Sequence, residues 1–100
     1  MIFQLPFCGK TYNLEVKKEE YNNGGLAVVL IDTDDQEEFT VASSFIEDAN
    51  LKKGEFCLKN WSENEDIANE LIKQGIVIPT GRTVPSGWIN APVCTLKDGI

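Results

Sequence analysis

One hundred residues with an apolar share of 42% make one domain with a modest core and exclude a disordered chain. Sixteen acidic residues against nine basic ones leave a net charge of −7, which argues against direct binding of a nucleic-acid backbone or an anionic membrane. Histidine is absent, so no Cys-His or Ser-His pair can exist, and three scattered cysteines fall short of a four-ligand zinc site.

In chain order, residues 2–7 read as a short first strand, placed at a sheet edge because Pro6 cannot donate to a ladder. Cys8-Gly9-Lys10 is a turn. From 11 to 20, Tyr12, Leu14 and Val16 alternate with Thr11, Asn13, Glu15 and Lys17, the period of a strand with one wet face. Asn22-Asn23-Gly24-Gly25 is a hairpin turn by chemistry, since Asn and Gly tolerate positive φ. Leu26-Ala27-Val28-Val29-Leu30-Ile31 follows without a polar break, which predicts a central strand buried on both faces. Residues 32–38 form a solvated acidic hairpin tip, and a strand resumes at Phe39 and loosens at Ser43-Ser44.

Residues 47–54 read as a loop or short helical turn closed by Gly54, and 55–60 as a short strand with Phe56 and Leu58 on one side. Ser62 and Glu65 have capping-box spacing, and Ile67, Ala68, Leu71 and Ile72 make an apolar stripe that Gly75 ends. A buried strand at 76–78 precedes two turn signals, Pro79-Thr80-Gly81-Arg82 and Pro85-Ser86-Gly87, so 79–91 is an ordered loop or a tight hairpin before a last strand at 92–96. The expected fold is a single α+β domain over 1–100: one mostly antiparallel sheet of about five to six short strands, with one amphipathic helix at about 63–74 on one face.

The charge is uneven. Residues 19–51 hold nine carboxylates and no Lys or Arg, so this third of the chain carries −9 and the remainder +2. A field of that kind bears on association more than on fold. An EF-hand reading fails, because the sixth and twelfth positions counted from Asp32 are Glu37 and Ser43 where Gly and Glu are needed. The tip is therefore read as a solvated turn, not a metal site. Cys8, Cys57 and Cys94 all lie in or beside apolar segments and read as small buried hydrophobes, free thiols in a reducing compartment. Pro79-Thr80-Gly81-Arg82 lacks P-loop spacing. Arg82 and Trp88, with Trp61 before the helix, are residue types that anchor protein interfaces. The plainer reading lets both tryptophans finish the core and pairs Arg82 with an acid.

Several stretches together resemble a known family. They are YNNGGLAVVLID at 21–32, FCLKN at 56–60, the helix ending in Gly75 with PTGR at 79–82, and Ser86-Gly87 with Pro92-Val93. The chain looks like the small bacterial proteins grouped as domain of unknown function 4313, over most of its length after residue 10. It departs from that pattern at the acidic tip and at WSENED, residues 61–66. The resemblance implies a context of phages, plasmids and conjugative elements and brings no catalytic residue.

These readings lead to a non-enzymatic protein with no cofactor or metal that acts in the bacterial cytoplasm by binding. No apolar run nears the roughly 20 residues of a membrane span, and the short, Pro6-broken start is not a secretory signal. The expected partner is a protein, a nucleic-acid-processing enzyme with a basic channel, met by Asp32, Asp34, Asp35, Glu37, Glu38, Arg82, Trp88 and Trp61. The leading reading is an inhibitor, carried by a phage or mobile element, of a host defence effector (a CRISPR-associated or restriction nuclease), acting partly by mimicking nucleic-acid charge. Two alternatives stand beside it: an assembly protein working as a homo-oligomer, such as a homodimer, and a small enzyme.

Overall fold

The computed structural model describes residues 2–22 and 24–100, so Asn23 of the expected Asn-Gly turn lies outside the described residues. Its neighbours close a turn there: Tyr21 N donates to Gly25 O (2.8 Å) and Gly24 N to Tyr21 O (3.0 Å). The strands run β1 (Ile2–Phe7), β2 (Lys10–Glu20), β3 (Leu26–Asp32), β4 (Glu37–Val41), β5 (Ser43–Ser44), β6 (Glu55–Leu58), β7 (Val77–Ser86) and β8 (Ile89–Leu96), with helix α1 (Asn64–Lys73) between β6 and β7. All strand pairs are antiparallel.

The single sheet expected of the sequence is instead two four-stranded sheets, ordered β1-β2-β3-β4 and β5-β6-β8-β7. The reason lies at Ala42. Its N–H donates to Val28 O in β3 (2.8 Å), while its carbonyl accepts from Lys59 N beyond β6 (2.8 Å). The chain thus leaves the first sheet and joins the second at one residue. Ser43 supports the change, because its Oγ accepts the Val28 N–H (2.9 Å) that a continuing ladder would have engaged. What reads in sequence as a loosening strand is a strand changing sheets.

β3 sits between β2 and β4, as its continuous apolar run predicts, with Ala27, Val28, Val29 and Leu30 all buried. One main core joins both sheets and the helix: Phe3, Leu5, Leu14, Val28 and Leu30 meet Phe56, Leu58, Ile67, Ala68, Leu71, Ile76, Val77 and Cys94. A residue set drawn from every layer makes the chain one domain. A smaller cluster of Ala49, Cys57 and Ala91, flanked by Ile46, Leu51, Trp61 and Val84, fills the space under the β7–β8 hairpin.

The helix ends as its sequence predicts and begins differently. Gly75 takes φ +75°, Gly75 N donates to Ile72 O and Ile76 N to Leu71 O, which is the Schellman pattern. At the other end Ser62 sits at φ +58° and Glu63 is the N-cap with no side-chain cap bond, so the Ser62–Glu65 capping box does not form. The start is held from outside instead: buried Asn64 donates its Nδ2 to Val41 O (3.1 Å) and receives Thr40 Oγ1 (3.4 Å). Ile72, assigned in sequence to the apolar stripe, is exposed.

Residues 77–96 form one long hairpin, where the sequence left a loop or a hairpin open for 79–91. Pro79 and Pro85 are accommodated because β7 is an edge strand. Between Pro79↔Cys94 and Thr83↔Pro92 the register shifts, so Thr80, Gly81 and Arg82 swing out of the ladder in a wide bulge.

Candidate functional site

The acidic tip joins β3 to β4. Gln36 takes φ +60° and its N–H donates to Asp32 O (2.8 Å). Two of the acids shape the turn: Asp32 Oδ1 accepts from Asp34 N (3.0 Å) and Asp35 Oδ1 from Glu37 N (2.9 Å). Thr33 ties the tip to β2 by donating both its N–H (2.9 Å) and its Oγ1 (3.0 Å) to Asn13 O. Asp34, Asp35, Glu37 and Glu38 are exposed and Asp32 is half-buried. The five carboxylates are therefore brought together on a fixed hairpin. Beneath it Phe39 packs on Tyr12 (ring centroids 4.6 Å) and Phe7 (6.0 Å).

The other three predicted contact residues are not gathered in one place. Arg82 leaves β7 at the bulge and pairs with Glu55 of β6. Glu55 is buried, and its second oxygen accepts Lys52 N (2.8 Å). The Arg82 hydrogen bond, then the Lys52 N–H, hold the Glu55 carboxyl below its ordinary pKa against the opposing effect of burial. Arg82 is thus an internal partner with a half-exposed head. Trp61 is half-buried against the smaller core cluster. Trp88 stands at the β7–β8 hairpin turn after Gly87 (φ +59°) with its side chain fully in solvent (104% exposed).

No family model matches the chain, and no curated protein or solved structure matches it significantly.

Chemistry must accordingly be judged from the side chains themselves. Cys57 and Cys94 are buried, as expected; burial pushes both thiols up, Cys94 to about 12, which leaves them poor nucleophiles. Cys8 overturns its expected burial: it is exposed in the β1–β2 turn at φ +51° beside Gly9 at φ +78°, since a two-residue turn of this kind puts both central residues at the surface. A cavity of about 700 Å³ opens where β2 and β3 meet the last residues of the chain. Its wall mixes Lys18, Lys53 and Lys97 with Glu19, Glu20 and Asp98 around Leu26, Leu96 and Ile100, so neither sign of charge dominates it. Among the described residues, ion pairs join Lys17 to Glu19 (3.3 Å) and Arg82 to Glu55, and no acid of the tip takes part in one.

Sequence reasoning missed Glu55. A carboxylate heading Glu55-Phe56-Cys57-Leu58, all four buried, carries the one available signal: an ionised group on a buried strand demands a partner.

Proposed function

We propose that this protein is a small acidic inhibitor that acts by binding, carried by a phage or another mobile element. Its target is a host defence effector, a CRISPR-associated or restriction nuclease with a positively charged nucleic-acid channel. One observation carries the reading. Four exposed carboxylates, Asp34, Asp35, Glu37 and Glu38, stand on a hairpin tied down by its own hydrogen bonds, with no cation paired to them among the described residues. Fixed, unpaired carboxylates can occupy the places of phosphates among Lys and Arg side chains, and their field steers the encounter. The mobile-element context rests on the resemblance at 21–32, 56–60 and 79–82. Trp88 adds an exposed aromatic anchor of the type enriched at interface centres.

The test is affinity capture from bacterial lysate at low salt, with a matched high-salt wash and mass spectrometry of the retained protein. A nucleic-acid-processing enzyme that is lost at high salt is the expected result. The combined variant Asp34→Asn, Asp35→Asn, Glu37→Gln, Glu38→Gln should weaken binding to that enzyme. At roughly 0.2–1 kcal/mol for each exposed pair, the loss is about fourfold to several hundredfold. Undiminished affinity of this variant refutes the charge mechanism.

The homo-oligomeric alternative would use sheet edges, and two of the four edge strands, β7 and β1, carry features that oppose strand addition. β7 has Pro79, Pro85 and the bulge, and on β1 the Gln4 carbonyl already accepts Gln74 Nε2 (2.7 Å).

A further inference from the structure

The two faces of the first sheet differ in what covers them. The helix and the second sheet pack on its inner side, against Phe3, Leu5, Leu14, Val28 and Leu30. Side chains alternate across a strand, so Ala27, Val29 and Ile31 point the opposite way. Register sets their neighbours. Val29 lies between Lys17 and Val41, and Ile31 between Glu15 and Glu38, with Ile2 next to Glu15. The bulge between Leu30 and Ile31 preserves this arrangement, because it lets Phe39 and Thr40 both face inward while Glu38 and Val41 face out.

The outer face is consequently an apolar stripe inside an acidic frame. Ile31 and Val41 are half-buried and Ile2 is 59% exposed. Glu15, Glu38 and Glu19 border them, and Lys17, on the same face, is already paired with Glu19. The tip acids continue the frame at one end. Past the end of β4, Phe45 (48% exposed) stacks on Tyr21 (centroids 5.4 Å).

Apolar centre and acidic border together define the occupant. A second copy would set Glu15, Glu19 and Glu38 against their own kind on a protein already at −7. A nucleic acid or an anionic membrane is repelled by the same frame. We propose that the outer face of the first sheet, centred on Ile2, Ile31 and Val41, docks a basic amphipathic segment of the partner protein, with apolar residues over the stripe and Lys or Arg over the frame. This rests on the charge-led binding described above and assigns it a surface larger than the tip.

The test titrates the isotope-labelled protein at low salt with two synthetic peptides of equal positive charge. One is a Leu–Lys peptide with separate apolar and basic faces; the other is a Gly–Lys peptide. The expected result is that the Leu–Lys peptide binds about tenfold tighter or better, from burial of apolar surface, and shifts the amides of Glu15, Val29, Ile31 and Val41. The charge-neutral variants Ile31→Thr and Ile2→Ser should bring its Kd toward that of the Gly–Lys peptide and leave the latter unchanged. Ile2 is exposed enough for its replacement to spare folding, which a thermal melt checks. Equal binding of both peptides, with shifts confined to 32–38, overturns the docking face while the charge-led reading stands. Absence of binding by either peptide overturns both. Concentration-dependent shifts on this face without peptide assign it to a second copy and overturn the basic occupant.

Discussion

Glu55 and Arg82 form the most demanding pair of side chains in the molecule. A buried carboxylate without its cation keeps the desolvation cost and loses the compensation. Arg82→Ala should therefore destabilise the fold by about 1–3 kcal/mol in urea titration at neutral pH, the cost of leaving a buried polar group without its partner. The pH dependence has a definite sign. The folded Glu55 carboxyl lies below its ordinary 4.5, so its contribution is fully present above pH 4.5 and fades as pH falls through the lower folded value. The gap between wild type and Arg82→Ala should close in acid; a gap that stays constant would show that Arg82 acts by packing alone. The cysteines provide a second prediction at this scale. A thiol reagent should modify Cys8 quickly in the native protein, and Cys57 and Cys94 only after denaturation. Fast modification of more than one thiol contradicts the buried positions of the other two.

Helix α1 separates what a local sequence can declare from what it cannot. Its C-terminus was legible because the whole device is contiguous: Leu71, Ile72, Gly75 and Ile76 supply both Schellman bonds. Gly75→Ala should cost roughly 1–2 kcal/mol, because φ +75° brings a Cβ against the backbone carbonyl. Its N-terminus was misread because the contact that anchors it, Asn64 Nδ2 to Val41 O, lies on β4 some two dozen residues away, which spacing within a window cannot reveal. Ser62→Ala should accordingly change stability by less than about 0.5 kcal/mol, where a working cap would cost about 1 kcal/mol. The same division runs through the sheets. β2, β3 and the acidic tip were legible from alternation, an unbroken apolar run and turn residues. The change of sheet at Ala42, the Arg82 bulge and the apolar outer stripe depend on register between strands, which a single chain does not display. Of the candidate site, the tip was visible as composition. Its frame of Glu15, Glu19 and Glu38 around Ile31 emerges only when β2, β3 and β4 lie side by side.

At the scale of the whole molecule, −7 on one hundred residues means that the folded state concentrates like charge. Self-repulsion of this kind is relieved by screening, so the urea midpoint should rise as ionic strength increases from about 0.01 M to 0.15 M, where the Debye length shrinks from roughly 30 Å to 8 Å. Binding to a basic partner should show the opposite trend, which separates the two effects in one salt series. The link at Ala42 has a dynamic consequence. Its N–H belongs to the first sheet and its carbonyl to the second, so neither sheet can open at that point without loosening the other. In native-state hydrogen exchange, the Ala42 and Lys59 amides should be protected equally, with an opening free energy close to that of complete unfolding. The two sheets would then melt as one cooperative unit, and a protein this small would have no half-folded form in which one sheet persists alone.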